Sequence, residues 1–268
     1  MTGDRSEEIP PDDVRAFYDG FLRSRMLEYR LNGNPRISSA QRRLLHYVSP
    51  DSVVLDLGCG IGLVTEAVAE KAALGLTVGC DISESNIWYA RQTVRAPNVR
   101  FVACDILREP DALREWAGRF DVIGVVDVIE HLPLAWHPEF FATLKQIAAD
   151  SCALVLTYPS PNYQRYLKAR EPAELQIVDE VVEPEVLIAN AAAAGFTLQH
   201  YSLEDVWLRE QYVHCVFGTD RAGILDPQPT ATPWPQRIRR VAGKAVSTIM
   251  RPLRRRKYIS RVFRARND

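Results

Sequence analysis

Two short stretches hold residues that could do chemistry. Asp127, Glu130 and His131 fall within five positions, in the order Asp127-Val128-Ile129-Glu130-His131. A free imidazole has a pKa of about 6.5, so His131 is a natural general base near neutral pH, and Glu130 or Asp127 could orient its ring. In the second stretch, Asp56-Leu57-Gly58-Cys59-Gly60-Ile61-Gly62, glycines alternate with other residues. That spacing lets the backbone turn tightly and approach a ligand, and a helix starting there presents free N–H groups. A dinucleotide site uses a similar turn, but its third glycine would fall at position 63, which is Leu63. Asp81 and Asp105 each close a short apolar run. Read singly, either could be a helix N-cap.

These residues need a frame that brings them together. Residues 52–57, 76–80, 99–104, 120–126 and 153–157 are short apolar runs and are predicted as buried strands. Helices are predicted over 63–72, 84–94, 138–149 and 184–194, the last ending at Gly195. Two late strands, 197–203 and 212–217, are expected to form a hairpin. The alternation predicts an α/β fold: a Rossmann-like, doubly wound, seven-stranded sheet, mostly parallel, with an antiparallel last strand. Upstream, Val14, Phe17, Phe21, Met26, Leu27, Leu44, Leu45 and Val48 recur at helical spacing, interrupted at 33–35. They predict an N-terminal helical cap behind a polar tail. Ligands of such sheets bind at the carboxyl ends of the strands, where every motif above lies.

The glycine spacing, with acids in register after three successive strands, resembles motif I and its neighbours in the class I S-adenosylmethionine-dependent methyltransferases. The resemblance spans about residues 14–218 and implies S-adenosylmethionine as cofactor. It implies a turn built from Asp56, Gly58, Gly60 and Gly62, with Asp127 also beside the cofactor. It makes Asp81 the acceptor for both ribose hydroxyls and gives Asp105 the adenine amino group, with Ile82 and Ile106 clamping the adenine faces. Leu31-Asn32-Gly33-Asn34-Pro35-Arg36-Ile37 looks like the Asn-Pro-x-Arg region of ubiquinone-biosynthesis O-methyltransferases, where an arginine pairs with the methionine carboxylate. Arg36 is the match, although it follows Pro35 directly. Tyr18 and Tyr29 read equally as lid residues or as packing residues.

The implied reaction is transfer of a methyl group to a hydroxyl, which must lose its proton as it attacks. His131, with Glu130, is the expected catalytic pair. The pentapeptide is also similar to the E-x-x-E-H pattern of the ubiquinone and small-RNA 2′-O-methyltransferases, with Asp127 in place of the first Glu. Those families bind a divalent metal there. Mg²⁺ or Mn²⁺ on Asp127, Glu130 and His131 is therefore an alternative, with His137, His200 or His214 as a further ligand. The same E-H-L run also occurs in methyltransferases that use no metal.

Residues 158–183 are expected to form a substrate lid within a methyltransferase domain spanning 49–220. Tyr158, Asn162, Tyr163, Tyr166 and Gln176 supply aromatic faces and hydrogen-bonding groups suited to a saccharide, a glycolipid or a phenol. A Pro-rich linker is expected at 221–236, followed by a basic amphipathic tail at 237–268. That tail holds twelve Lys or Arg and one acid, so the net charge of −1 leaves about −12 on the remainder. The tail reads as an element for an anionic membrane surface, for nucleic acid, or for packing on the acidic body. The acidic body weighs against an RNA substrate. With no run of 18 apolar residues, no signal-like N-terminus and five unpaired-looking cysteines, a cytoplasmic enzyme is expected, peripheral to the inner face of the membrane. The complete cofactor set weighs against a non-catalytic scaffold.

Overall fold

The structure, a computed structural model, describes residues 10–21 and 27–219. The expected linker and basic tail lie outside the described residues. Three helices come first: α1 (Pro11–Phe21), α2 (Leu27–Asn32) and α3 (Pro35–Leu45). The alternating unit follows as β1 (Val53–Leu57), α4 (Leu63–Lys71), β2 (Leu76–Asp81), α5 (Glu84–Thr93) and β3 (Val99–Ala103). A 3-10 segment, Pro110–Trp116, leads to β4 (Phe120–Val126). Then come α6 (His137–Ile147), β5 (Ala148–Pro159), α7 (Pro161–Arg170), α8 (Pro184–Ala193), β6 (Thr197–Glu204) and β7 (Tyr212–Gly218).

Among the described residues the seven strands form one sheet in the order β3-β2-β1-β4-β5-β7-β6. Strands β1 to β5 pair in parallel, and β7 runs antiparallel between β5 and β6. The chain leaves β1 in one direction and returns to β4 on its other side, so the switch point lies between them. Alternation along each strand feeds two cores. From β1, Val54 joins α3 and α4 on one face, while Leu55 joins the aromatic core of Phe140, Phe141, Phe196 and Phe217 on the other. The Phe141 ring meets those of Phe140, Phe196 and Phe217 at 5.7, 6.4 and 6.3 Å. Complete burial of such a side chain contributes roughly 2–3 kcal/mol.

The late elements differ from expectation. Strand β5 is longer than predicted and carries Tyr158 and Pro159 as its final residues. The lid then opens with a helix, α7, because Ser160 caps it by accepting from the Tyr163 N–H at 3.3 Å and Pro161 occupies its first turn. All five cysteines are buried free thiols. Among the described residues, no helix is long and apolar enough to cross a membrane.

Candidate functional site

Local sequence fixes the glycine turn. Gly60 and Gly62 have φ of 52° and 80°, the left-handed region that a side chain disfavours. Gly62 is the N-cap of α4, and no side chain caps that helix. A Cβ at Gly62 would stand 2.9 Å from Val94 Cγ2 and 3.1 Å from Phe101 Cζ, so this glycine is needed for packing as well. The Gly60 N–H donates to Asp81 Oδ2 at 2.8 Å, and the Ser83 N–H donates to Oδ1 at 2.9 Å. Asp81 thus ties the turn after β1 to the end of β2. Asp56 is held from the other side, where the Thr65 hydroxyl of α4 donates to its Oδ2 at 2.6 Å. Burial pushes the Asp56 carboxyl up to about 7 against that hydrogen bond, and burial raises Asp81 too.

A cavity opens at these strand ends. Its wall includes Asp56, Gly58, Gly60, Asp81, Ile82, Asp105, Ile106 and Asp127, with Arg36 and Tyr18 contributed by the N-terminal helices. Gly62 is not among its lining residues. Asp105 accepts from the Leu107 N–H at 3.0 Å, and Arg108 lies 3.5 Å from it.

Arg36 arrives by a capping motif. Asn34 Oδ1 accepts from the Arg36 and Ile37 N–H groups at 2.9 and 3.4 Å, and Pro35 starts the helix. The Arg36 Nε then lies 3.0 Å from Asp127 Oδ2, and Tyr212 also supports the guanidinium charge. Burial disfavours the guanidinium charge, but Asp127 and Tyr212 more than offset it. Asp127 sits at φ 53°, and burial raises its carboxyl more than Arg36 and His131 lower it. The Arg36 Nε and Asp127 Oδ1 are buried without hydrogen-bond partners. Arg36 and Asp127 both belong to residues that line the cavity.

Beside this cavity lies a second one, lined by Tyr29, Glu130, Tyr163, Gln164, Trp207 and Tyr212, among others. Arg36, His131 and Gln176 line both. His131 Nδ1 lies 2.8 Å from the Val178 carbonyl oxygen, a pure acceptor, so the neutral ring carries its proton on Nδ1. The Nε2 lone pair is then available. Asp179 Oδ1 lies 3.6 Å from Nδ1, and Glu130 Oε1 lies 3.8 Å from Nε2. Burial lowers the His131 pKa against the pull of Asp179. Burial, then Asp127, raises Glu130 well above the usual carboxylate range.

Among the described residues, no three ligating side chains converge as a metal site. Asp127 is paired with Arg36 and also interacts electrostatically with Glu130 and His131. His137 is bound to the Ile129 and Leu132 carbonyls at 3.1 and 3.2 Å, and His200 and His214 face each other at 5.4 Å.

Several acceptor-side expectations need correction. Tyr158 is fully buried and belongs to the aromatic core, because β5 continues through it. Asn162 and Tyr166 lie on the outer face of α7. The Tyr166 hydroxyl donates to Glu171 at 2.7 Å while its ring stacks on Tyr163. Tyr163 and Gln176 do line the second cavity, as does Tyr29. Sequence reading missed Gln164, Asp179, Trp207 and Tyr212. Gln164 and Asp179 belong to the predicted lid, but only the helical phase of α7 shows which of its polar residues turn inward.

Residues 54–150 match the family model described as "Methyltransferase domain". The chain carries a methyltransferase domain. Ubiquinone biosynthesis O-methyltransferases are similar to part of it. The protein of that name from Coxiella burnetii is 38% identical over 82 residues, 30% of this chain and 32% of the relative. The one from Acinetobacter baumannii is 31% identical over 80 residues, 30% of this chain and 33% of the relative. The chain thus spans about a third of the length of the curated relatives it matches. An S-adenosylmethionine-dependent methyltransferase from Mesorhizobium loti superposes with a TM-score of 0.55 at 16% identity, covering 67% of this chain and 96% of that one. The magnesium protoporphyrin IX methyltransferase from Synechocystis, solved with bound SAH, gives 0.51 at 19% identity, covering 81% and 90%. These two likenesses show a shared fold. S-adenosylmethionine is the cofactor that the sequence resemblance implies. Asp81, Ile82, Ile106 and the Arg36–Asp127 pair, the residues to which that resemblance gives the ribose, the adenine and the amino-acid end, line one cavity.

Proposed function

We propose that this chain is an O-methyltransferase that uses His131 as general base on a hydroxyl of a small-molecule or saccharide acceptor. The observation that carries this reading is the position of His131 in the walls of both cavities, with Nδ1 committed to the Val178 carbonyl. Bound S-adenosylmethionine supplies an electrophilic methyl group on a sulfonium. Transfer of that carbon to the acceptor oxygen would leave the carbon–sulfur electron pair on sulfur, as S-adenosylhomocysteine. His131 Nε2 takes the hydroxyl proton. A neutral imidazole is required for this, and burial keeps His131 neutral. Arg36 and Asp127 hold the cofactor end, and α1 with Tyr18 helps exclude water.

The aromatic rings of Tyr29, Tyr163, Trp207 and Tyr212 in the second cavity suit a flat or ring-shaped acceptor. A phenol is the second reading, supported by the partial similarity to ubiquinone biosynthesis O-methyltransferases. Production of S-adenosylhomocysteine from fractionated small-molecule and glycan extracts tests the activity. His131→Gln is expected to lower kcat at least 100-fold with little change in affinity for S-adenosylhomocysteine. An unchanged kcat removes the general-base role. The basic segment 237–268 is proposed to hold the enzyme at an anionic membrane. Flotation with phosphatidylserine vesicles, with and without those residues, tests it; equal flotation refutes it.

A further inference from the structure

Consecutive residues of the lid grip Glu130 and His131. The Glu130 carbonyl accepts from the Glu180 N–H at 2.7 Å, and the Val178 carbonyl accepts from His131 Nδ1 at 2.8 Å. Between them stands Asp179, whose side chain is 10% exposed. Both of its oxygens accept: Oδ1 from Gln164 Nε2 of α7 at 2.8 Å, and Oδ2 from the Gln176 N–H. The bond to Gln176 closes a turn over 176–179, and the bond to Gln164 ties that turn to α7. Gln164 is 1% exposed, so the tie is sheltered from competing water. Helix α7 is in turn fixed at the end of β5 by the Ser160 cap. A continuous set of contacts thus runs from the sheet through α7, Gln164 and Asp179 to the segment whose carbonyl meets the imidazole. At the other ring nitrogen, Glu130 Oε1 lies 3.8 Å from Nε2, beyond hydrogen-bond distance.

Resting on the reading of His131 as general base, we infer that Asp179 is a positioning residue, which fastens the 176–180 segment to α7 so that the Val178 carbonyl keeps the His131 proton on Nδ1. It acts on the reaction through His131. An imidazole with its proton on Nε2 presents a donor, not a lone pair, to the acceptor hydroxyl and cannot take that proton. The Val178 carbonyl enforces the useful tautomer only while it stays within hydrogen-bond reach of Nδ1. Residues 175–183 form neither helix nor strand, so no ladder holds this backbone in place and side-chain ties must do so. The Asp179 Oδ1 also stands 3.6 Å from Nδ1, where negative charge favours a proton on that nitrogen. A second tie, Arg165 with Glu183, joins α7 to the far end of the segment, but the arginine is half exposed.

The test reads the imidazole nitrogens of the full chain, labelled with nitrogen-15 histidine, by NMR at pH 8, with His131→Gln to assign the signals. The Nδ1–H form is expected to dominate in the wild type. Asp179→Asn keeps the shape of the side chain but turns an amide donor toward Gln164 or Gln176, and Gln164→Met cuts the same tie from α7. Each is expected to lower the ratio of Nδ1–H to Nε2–H about fivefold or more, the scale of one hydrogen bond. In Gln164→Glu/Asp179→Asn the new amide donates to the new carboxylate, and the ratio is expected to return to within about threefold of wild type. Arg165→Gln, which removes the exposed tie, is expected to leave it unchanged. Urea melts establish that each variant folds; if one single variant does not, the other and the double variant decide. A dominant Nε2–H form in the wild type overturns the inference. So does an unmoved ratio in a folded single variant, no recovery in the double variant, or an equal fall in Arg165→Gln. The tautomer is measured without turnover, so an unchanged kcat in His131→Gln refutes the general-base reading alone, while a ratio insensitive to Asp179 refutes only its positioning role.

Discussion

The ion pair between Arg36 and Asp127 joins the N-terminal helices to the end of β4, and removing one partner should cost more than removing both. Arg36→Met leaves the Asp127 carboxylate 8% exposed with no cation beside it, and the Arg36 side chain it loses is only 23% exposed. Breaking a buried pair costs about 3–5 kcal/mol, and partial exposure of the arginine reduces that to roughly 2–4 kcal/mol. Asp127→Asn keeps a side chain that tolerates φ 53° and removes the charge. The double variant Arg36→Met/Asp127→Asn should therefore recover about 2 kcal/mol relative to additivity. The penalty of Arg36→Met has a pH signature. Burial already raises Asp127, and loss of Arg36 raises it further. The folded carboxyl then binds its proton more tightly than the unfolded one. The penalty is full above the folded pKa and shrinks as pH falls through it. Urea unfolding followed by tryptophan fluorescence at pH 8 and pH 5 measures both effects. Additive single-variant losses, or a penalty that does not change with pH, refute the electrostatic account.

Further expectations follow from the same site. Gly62→Ala combines left-handed backbone with contacts at 2.9 and 3.1 Å, and should destabilise by about 2–4 kcal/mol in denaturant melts; a change under 0.5 kcal/mol excludes that packing. Asp56, raised to about 7 by burial from an unfolded value near ~3.9, binds its proton more tightly when folded, so wild-type stability should fall as pH rises from 4 through 7. Asp56→Asn, which can still accept from Thr65, should remove about 2–4 kcal/mol of that slope, and an unaltered slope contradicts it. The acid limb of kcat/KM should lie below pH 6.5, because burial lowers His131; a limb above 7 assigns it to another group. Full activity is expected after exhaustive chelation, and restoration only by Mg²⁺ or Mn²⁺ counters the geometric assignment of Asp127 to Arg36.

The strand–helix alternation was legible in the sequence because buried strands must be apolar and short, and glycines must stand where the backbone turns left-handed. The acids at strand ends were equally visible, and the fold carries Asp56, Asp81, Asp105 and Asp127 to one cavity because parallel strands share a carboxyl edge. Local capping was also written in sequence: Asn34-Pro35 starts α3 and so delivers Arg36. Tertiary structure alone decided which partners these groups meet. Asp127 took Arg36 as its ion-pair partner, through a contact 91 positions apart in the chain. Val178, a residue with no chemistry of its own, fixed the His131 tautomer with its backbone carbonyl. Tyr158 went to the core because β5 ran on for two residues more than its apolar run suggested. Composition records which groups a chain owns; the phase of α7 and the length of β5, both set by packing, determine which of them face the acceptor.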